Sequence, residues 1–389
     1  MSDRGLMKMD NHVASIATSI REFSDEMTDG MKKNVRKHFR EYLLGIMIPP
    51  EVRRKSISNI SDLVSEYDQS TINRSIHAVD LDLMEKNYIH YLKSAIGNHR
   101  VQFIGDDTLL EHPGSKKMEN VGWFFDHASG RNVKAHQPVT TMIHDLENDT
   151  FYPFLMRMYI KKEAAGDSFM TKLQIMQGLL EVAKSEFNVV GKTLDSWYSS
   201  KNMMDDNFVT ELKANRKVSL EYMGKMTPRN RDLFLTLNEV LETTFVMSER
   251  DSDILKDFPL YCNIKAWLSN GMPVNMTILY NPETGVKKFL ASDYAYGEDL
   301  IGEWNDRWPI ESFHKDAKNL GLGEYQVRDC DGSLIHANIT VAAYTLLSMM
   351  LKDSKRLFGK ILMTIGQCSR EIKRILISKR NYKSRVFSG

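Results

Sequence analysis

Residues 101–108 read VQFIGDDT. Val101 to Ile104 predict a short apolar strand that stops at Gly105, Asp106, Asp107 and Thr108. Further strands are expected at VGWFFDH (121–127), AHQPVTTMIHD (135–145) and FYPFLMRMYI (151–160), with a turn at Gly130 and Arg131. Residues 170–187, MTKLQIMQGLLEVAKSEF, carry the apolar spacing of an amphipathic helix. Val189 and Val190 then lead a strand through Leu194 to Asp195, and a second helix is expected from Asn202 to Lys213. The order is strands, then a helix, a strand and a helix. A helix between two strands brings them side by side and parallel. Asp106 or Asp107 would then share one sheet end with Asp195, the end where open α/β sheets place their sites.

Residues 1–97 read as helical. Apolar side chains recur at helical spacing through Phe39, Tyr42, Leu43 and Ile46, then Ile57, Ile60, Leu63 and Val64, then Leu81, Met84, Tyr88, Tyr91 and Leu92. SNISDLVSEYDQSTINRSI contains a helix, a short turn and a second helix, with Asp68 or Ser70 as N-cap. A helix-turn-helix of this kind would present Gln69, Ser70, Asn73 and Arg74 to DNA; a small helical bundle with a polar turn has the same pattern. Residues 214–295 interrupt the core with a helical part (Asp232 to Met247) and strands at YCNIKAWL, VNMTILY and KKFLAS. Asn281, Pro282 and Gly285 turn the chain between the last two. The core resumes at 296–351.

Composition excludes several classes. The chain has 389 residues, 42% hydrophobic and 26% charged, enough for a large core in more than one domain. Its formal net charge of +1 carries no signal for nucleic acid, but eleven Lys and Arg stand against two acids between Lys352 and Arg385. Residues 352–389 are therefore expected to be a basic helical tail. Three scattered cysteines fit neither a disulfide framework nor a structural zinc site. A reducing cytoplasm fits this usage, and the polar N-terminus has no signal-peptide core. The apolar run from Ala337 to Leu351 is shorter than the ~20 residues that span a bilayer and reads as a core helix.

The segment 304–318, WNDRWPIESFHKDAK, holds the remaining chemistry. At helical spacing Arg307, Glu311, Lys315 and Lys318 share one stripe, with Ile310 and Phe313 on another. His314 is expected to be a supporting or surface residue. Singly, Asp106–Thr108 reads as a turn, Asp195 as an N-cap and Glu311–Lys315 as an ion pair. Together, two strand-end aspartates and a helical glutamate form the hard oxygen set that Mg²⁺ prefers. No nucleophile elbow and no phosphate loop is present.

With these residues in place, the chain resembles the DDE transposases of prokaryotic insertion sequences, in the group named after insertion sequence four. That group's signature is Tyr, two residues, Arg, three residues, Glu, six residues, Lys; here Trp304, Arg307, Glu311 and Lys318 meet the spacing, with Trp for Tyr. RWPIESFHKDAK, LGLGEYQVR, the Asp-x-Thr at 106–108, LDSWYSS and FLASD are also similar to the group, over roughly residues 68–350. The resemblance implies an α/β RNase H-like core with a mixed sheet, split into 98–213 and 296–351 by a β-rich insertion (214–295), behind an N-terminal helical DNA-binding domain (1–97). It implies Asp106, Asp195 and Glu311 as ligands of two Mg²⁺ ions, with Mn²⁺ able to substitute. Asp107 stays open as the first ligand, because strand alternation does not decide between the neighbours. Arg307 and Lys318, with Lys315 beside them, would hold DNA phosphates, and the aromatic at 304 would pack there without a tyrosine hydroxyl. The implied activity is cleavage at terminal inverted repeats and strand transfer into target DNA, by a homodimer in a prokaryotic nucleoid. Two other readings are a non-catalytic DNA-binding protein derived from such an element and an RNase H-like endonuclease without strand transfer.

Overall fold

The computed structural model describes residues 3–49, 55–243, 248–249 and 257–377. Five helices come first: α1 (Asp3–Met27), α2 (Lys33–Met47), α3 (Ile57–Val64), α4 (Gln69–His77) and α5 (Leu81–Ile96). Asp68, not Ser70, caps α4, accepting from Thr71 N at 2.7 Å. The chain then forms β1 (Arg100–Asp107), β2 (Leu110–Glu111), β3 (Gly122–Asp126), β4 (Arg131–Asp145), β5 (Thr150–Tyr159), a short α6 (Lys162–Ala165), α7 (Lys172–Glu186), β6 (Asn188–Leu194) and β7 (Phe208–Glu211). The elements β8 (Lys217–Ser219), β9 (Leu235–Thr236), α8 (Leu237–Thr243), β10 (Ser248–Glu249), β11 (Leu260–Leu268), β12 (Pro273–Tyr280) and β13 (Lys287–Ser292) follow. Helices α9 (Glu298–Asn305), α10 (Trp308–Asn319), α11 (Cys330–Lys352), α12 (Ser354–Phe358) and α13 (Ile365–Ile377) close the described chain.

The class is mixed α/β. Strand β4 pairs antiparallel with both β1 and β5, while β6 lies parallel to β1 and β7 parallel to β6. Helix α7 makes the crossover that the sequence order requires. It is fixed at its start by a capping box between Thr171 and Gln174 and packs on β1, β4, β5 and β6. Gly105 lets α7 approach: a Cβ there would lie 2.5 Å from Met176 Sδ and 2.9 Å from Leu194 Cδ2. Helix α10 also meets β1, and Asp106 and Asp107 point to different helices.

Three expectations are corrected. Residues 202–213 are not a helix; Phe208–Glu211 is a strand, because aromatic and β-branched side chains fill a slot between β6 and β13. Asp232 to Met247 is not one helix: α8 begins at Leu237, where Thr236 and Glu239 form a reciprocal cap, and residues 244–247 lie outside the described residues. The stripe from Trp304 to Lys318 spans two helices. Pro309 cannot donate backwards, and Asp306 and Arg307 turn between α9 and α10.

The insertion strands do not form a separate sheet. β13 pairs with β7, so the order β2-β4-β1-β6-β7-β13-β12-β11-β8-β9 is continuous. One large core joins the N-terminal helices, β1, β4–β6, α7, α10, α11 and α13. A second fills the insertion, and a third gathers Val209, Leu290, Leu300, Ile301 and Trp304 where the two meet. Helix α11 is long and apolar enough to cross a membrane, yet 72% of its apolar window is buried against protein. The basic tail is folded as far as α13, with Cys368, Ile372 and Leu376 in the core; Lys379, Arg380, Lys383 and Arg385 lie outside the described residues.

Candidate active site at the ends of the parallel strands

The final ladder pairs set the geometry. Gly105 lies opposite Leu194, and Leu194 opposite Thr210. The next residue on each strand is therefore Asp106, Asp195 and Glu211, in line across three parallel strands about 4.8 Å apart. In-line residues share a face. For Asp106 that face is the α10 side: Arg307 Nη1 donates to Asp106 Oδ2 at 3.2 Å, and Nη2 to Glu311 Oε1 at 2.5 Å. Arg307 thus ties a strand end to the α10 helix that carries Glu311. Its backbone keeps helical angles (φ −76°, ψ −27°) through the break, which preserves the i,i+4 contact.

Asp107 faces the other way. It accepts from Lys172 Nζ at 2.7 Å, Tyr198 Oη at 3.0 Å and Gln137 Nε2 at 2.9 Å. Those bonds commit it to the α7 side. Asp106 instead uses Oδ1 on the Asp107 backbone N–H, at 2.8 Å, and Oδ2 on Arg307. The pair that sequence alternation left open is separated by strand geometry.

Burial pushes the Asp106 carboxyl up to about 7; Arg307 opposes this, while Asp195 and Asp107 add to it. Glu211 is also raised, by burial first, with Lys288 opposing and Asp195 reinforcing. Such a carboxylate set is short of positive charge and suits a hard cation. Asp195 accepts from Trp197 N at 3.3 Å. His314 is buried, not at the surface. Its Nε2 lies 2.7 Å from Thr140 Oγ1, whose hydroxyl donates to the Asp106 carbonyl at 3.2 Å. Burial, with Lys318 and Arg307 nearby, pushes His314 down to about 3, so the ring is neutral.

Trp304 packs against Arg307 from inside the core. It is 1% exposed and lies beneath Arg307, whose Cζ is 4.7 Å from the ring centroid. Lys315 and Lys318 are exposed along α10. Although the Lys318 side chain reaches solvent, loss of hydration to its packed neighbours lowers it, and its acidic neighbours are Asp126 and Glu111 rather than the strand-end carboxylates. In the N-terminal region, Gln69, Ser70 and Arg74 are exposed on α4 and Asn73 partly so, while Ile72 and Ile76 hold the helix to the core. A different group, His99, Asp145 and Glu147, could hold a metal by geometry, its ligand atoms lying within 4.8 Å of one another. It sits at the start of β1, where Val101 pairs Asp145, at the opposite end from Asp106.

An ordered Asp, Asp, Glu set on one face is the motif of DDE transposases, and a family model of that class, described as "Archaeal putative transposase ISC1217", matches residues 8–351. The chain belongs to this family. No curated protein matches it. In this transposase the sequence offers Asp106, Asp195, Arg307 and Glu311 as candidates; Glu211, which stands in line with the two aspartates, is not among them because 202–213 reads as a helix. The alternation in Phe208-Val209-Thr210-Glu211 was the available signal. The His314–Thr140 support had no sequence signal, since its partners are 174 residues apart.

Proposed function

We propose that this insertion-sequence transposase cuts the terminal inverted repeats of its element and joins them to target DNA, using Asp106, Asp195 and Glu311 as metal ligands. The observation that carries the reading is their convergence: in-line strand ends bring the aspartates together, and Arg307 holds Glu311 to Asp106. Asp106, with its partners on one side only, is the first ligand rather than Asp107. The order β5-β4-β1-β6-β7, with the last three parallel, supports an RNase H-like core. The proposed layout is a DNA-binding region at 1–97, core segments at 98–213 and 296–351, an insertion at 214–295 and a basic C-terminal segment at 352–389.

The donor set is all carboxylate oxygen and fits Mg²⁺, with Mn²⁺ as substitute. Two such ions would activate the attacking hydroxyl and stabilise the leaving oxygen. The chain's own residues do the rest. Asp106 and Asp195 set ligand spacing through the ladder, and Glu311 closes the set from α10. Arg307, the cation already at the carboxylates, would hold a DNA phosphate beside them when metal ions are bound. His314 and Thr140 fix the Asp106 backbone. Lys315 and Lys318 meet the DNA backbone further along α10, and Gln69, Ser70, Asn73 and Arg74 contact the duplex from α4. The assembly is a homodimer on double-stranded DNA, in a prokaryotic nucleoid.

Glu311→Gln tests the assignment. It should abolish Mg²⁺-dependent cleavage of end DNA and leave binding intact; full cleavage by the variant refutes it. Wild-type binding without cleavage in Mg²⁺ or Mn²⁺ would favour a non-catalytic protein, and cleavage without joining an endonuclease.

A further inference from the structure

Beside the carboxylate edge lies an indole that folding has left in the open. Trp197 follows Asp195 by two residues and is 50% exposed. Large aromatic side chains are normally withdrawn unless the surface has a use for them. Two ammonium groups sit over its ring: Lys172 Nζ and Lys213 Nζ, each 4.3 Å from the centroid. They come from separate elements, the first residue of α7 and the segment two residues past β7. Lys172 is held from below by Asp107 at 2.7 Å, and its side chain is only 11% exposed. Lys213 is exposed, and among the described residues no acid pairs with it.

Like charges repel, so two ammoniums do not gather on one ring without compensation. The ring face attracts each of them, and Asp107 neutralises one. What remains is a single net positive charge, fixed in place next to Asp195. A DNA phosphodiester carries one negative charge. We propose that Trp197, Lys172 and Lys213 form a subsite for a backbone phosphate of the DNA strand that runs past Asp195. Lys213 contacts the phosphate oxygen; Trp197 is the positioning residue that holds Lys213 by its ring face, and Lys172, tied to Asp107, steadies that ring. A free lysine would lose rotamer freedom on meeting the phosphate; this one has part of that freedom already removed. The subsite rests on reading the carboxylate edge as the place of cleavage, and it fixes the phosphate on the β7 side of the bond to be cut.

The test uses the full chain and a duplex carrying the inverted repeat that flanks the gene. Lys213→Gln, Lys213→Arg and Trp197→Ala are compared with wild type, with thermal melting as the control for folding. Binding is measured without divalent metal over a range of salt. Lys213→Gln should lower the slope of log affinity against log salt by about 0.7–0.9, the release expected for one phosphate contact, and Lys213→Arg should restore it. Phosphates near the cleaved bond are then replaced singly by neutral methylphosphonates. One position should weaken wild-type binding several-fold and have no effect on Lys213→Gln; in Trp197→Ala its effect should shrink. An unchanged salt slope and an unchanged interference pattern in Lys213→Gln would overturn the subsite, as would the absence of any such position in wild type. Cleavage by wild type in Mg²⁺, scored separately, decides the underlying reading.

Discussion

Removing the guanidinium that joins Asp106 to Glu311 separates its structural role from its role toward DNA. The Arg307 side chain is 8% exposed and bonds Asp106 at 3.2 Å and Glu311 at 2.5 Å. Breaking a buried pair by deleting one partner costs about 3–5 kcal/mol. The Glu311 half is discounted, because that side chain is 38% exposed and solvent screens it. Arg307→Ala should therefore cost about 2–3 kcal/mol near pH 8. At about 2.1 cal/mol/K of unfolding entropy per residue, a chain this long loses roughly 1 °C of Tm per kcal/mol. The loss depends on pH, with a definite sign. The Asp106 carboxyl stands at about 7 in the fold against an ordinary 3.8, so the folded state holds its proton more tightly. Stability from this group is greatest below 3.8 and falls as pH rises toward 7. Without Arg307 the carboxyl rises further, so the gap between wild type and Arg307→Ala widens from pH 6 to pH 8. A Mg²⁺ ion held by these carboxylates, as proposed, would favour the folded state, and in the variant it would no longer compete with a bound guanidinium. Saturating Mg²⁺ should then raise the Tm of Arg307→Ala more than that of wild type. Thermal melting at three pH values, with and without Mg²⁺, reads both effects. A gap that is flat with pH, or a Mg²⁺ shift no larger than in wild type, refutes the bridging role.

Three further outcomes are expected. With Asp106 as the proposed metal ligand, proton and metal would compete for it, so the Mg²⁺ concentration for half-maximal cleavage should fall about tenfold per pH unit up to about 7 and then level off; metal titrations of cleavage rate across pH check this. Thr140→Val removes the hydroxyl between His314 and the Asp106 carbonyl and leaves the buried His314 Nε2 without its partner, which should cost about 1–3 kcal/mol and slow cleavage with DNA affinity unchanged, as read by denaturant melts and gel shifts. Arg74→Ala, at the exposed face of α4, should weaken binding evenly across sequences and reduce the salt slope by about 1 if the side chain meets a phosphate.

What the sequence revealed follows from how local its causes are. The strand at 101–108, the crossover helix and the Asp195 strand were legible because apolar runs, helical spacing and short turns act within a few residues. Asp106 and Asp107 were not separable there, because alternation assigns them to different faces without saying which face meets which helix. Lys172 and Arg307, 65 and 201 residues away, supply that answer. The helix wrongly expected at 202–213 has the same origin: Phe208–Glu211 is a strand only because β6 and β13 flank it, and β13 is about 80 residues later in the chain. Trp304 fits the signature by spacing, yet lies under its neighbour because α9 ends before Arg307.

The pairing of β7 with β13 also bears on how such an enzyme can be re-engineered. Excising residues 214–295 would not trim a loop; it would strip a neighbour from the strand that ends in Glu211 and leave Val209 and Thr210 on an open edge, ready to pair with another chain. The insertion is a structural tenant of the catalytic sheet, not a cassette. Shortened or swapped versions should keep solubility only where the graft brings its own strand to lie against β7.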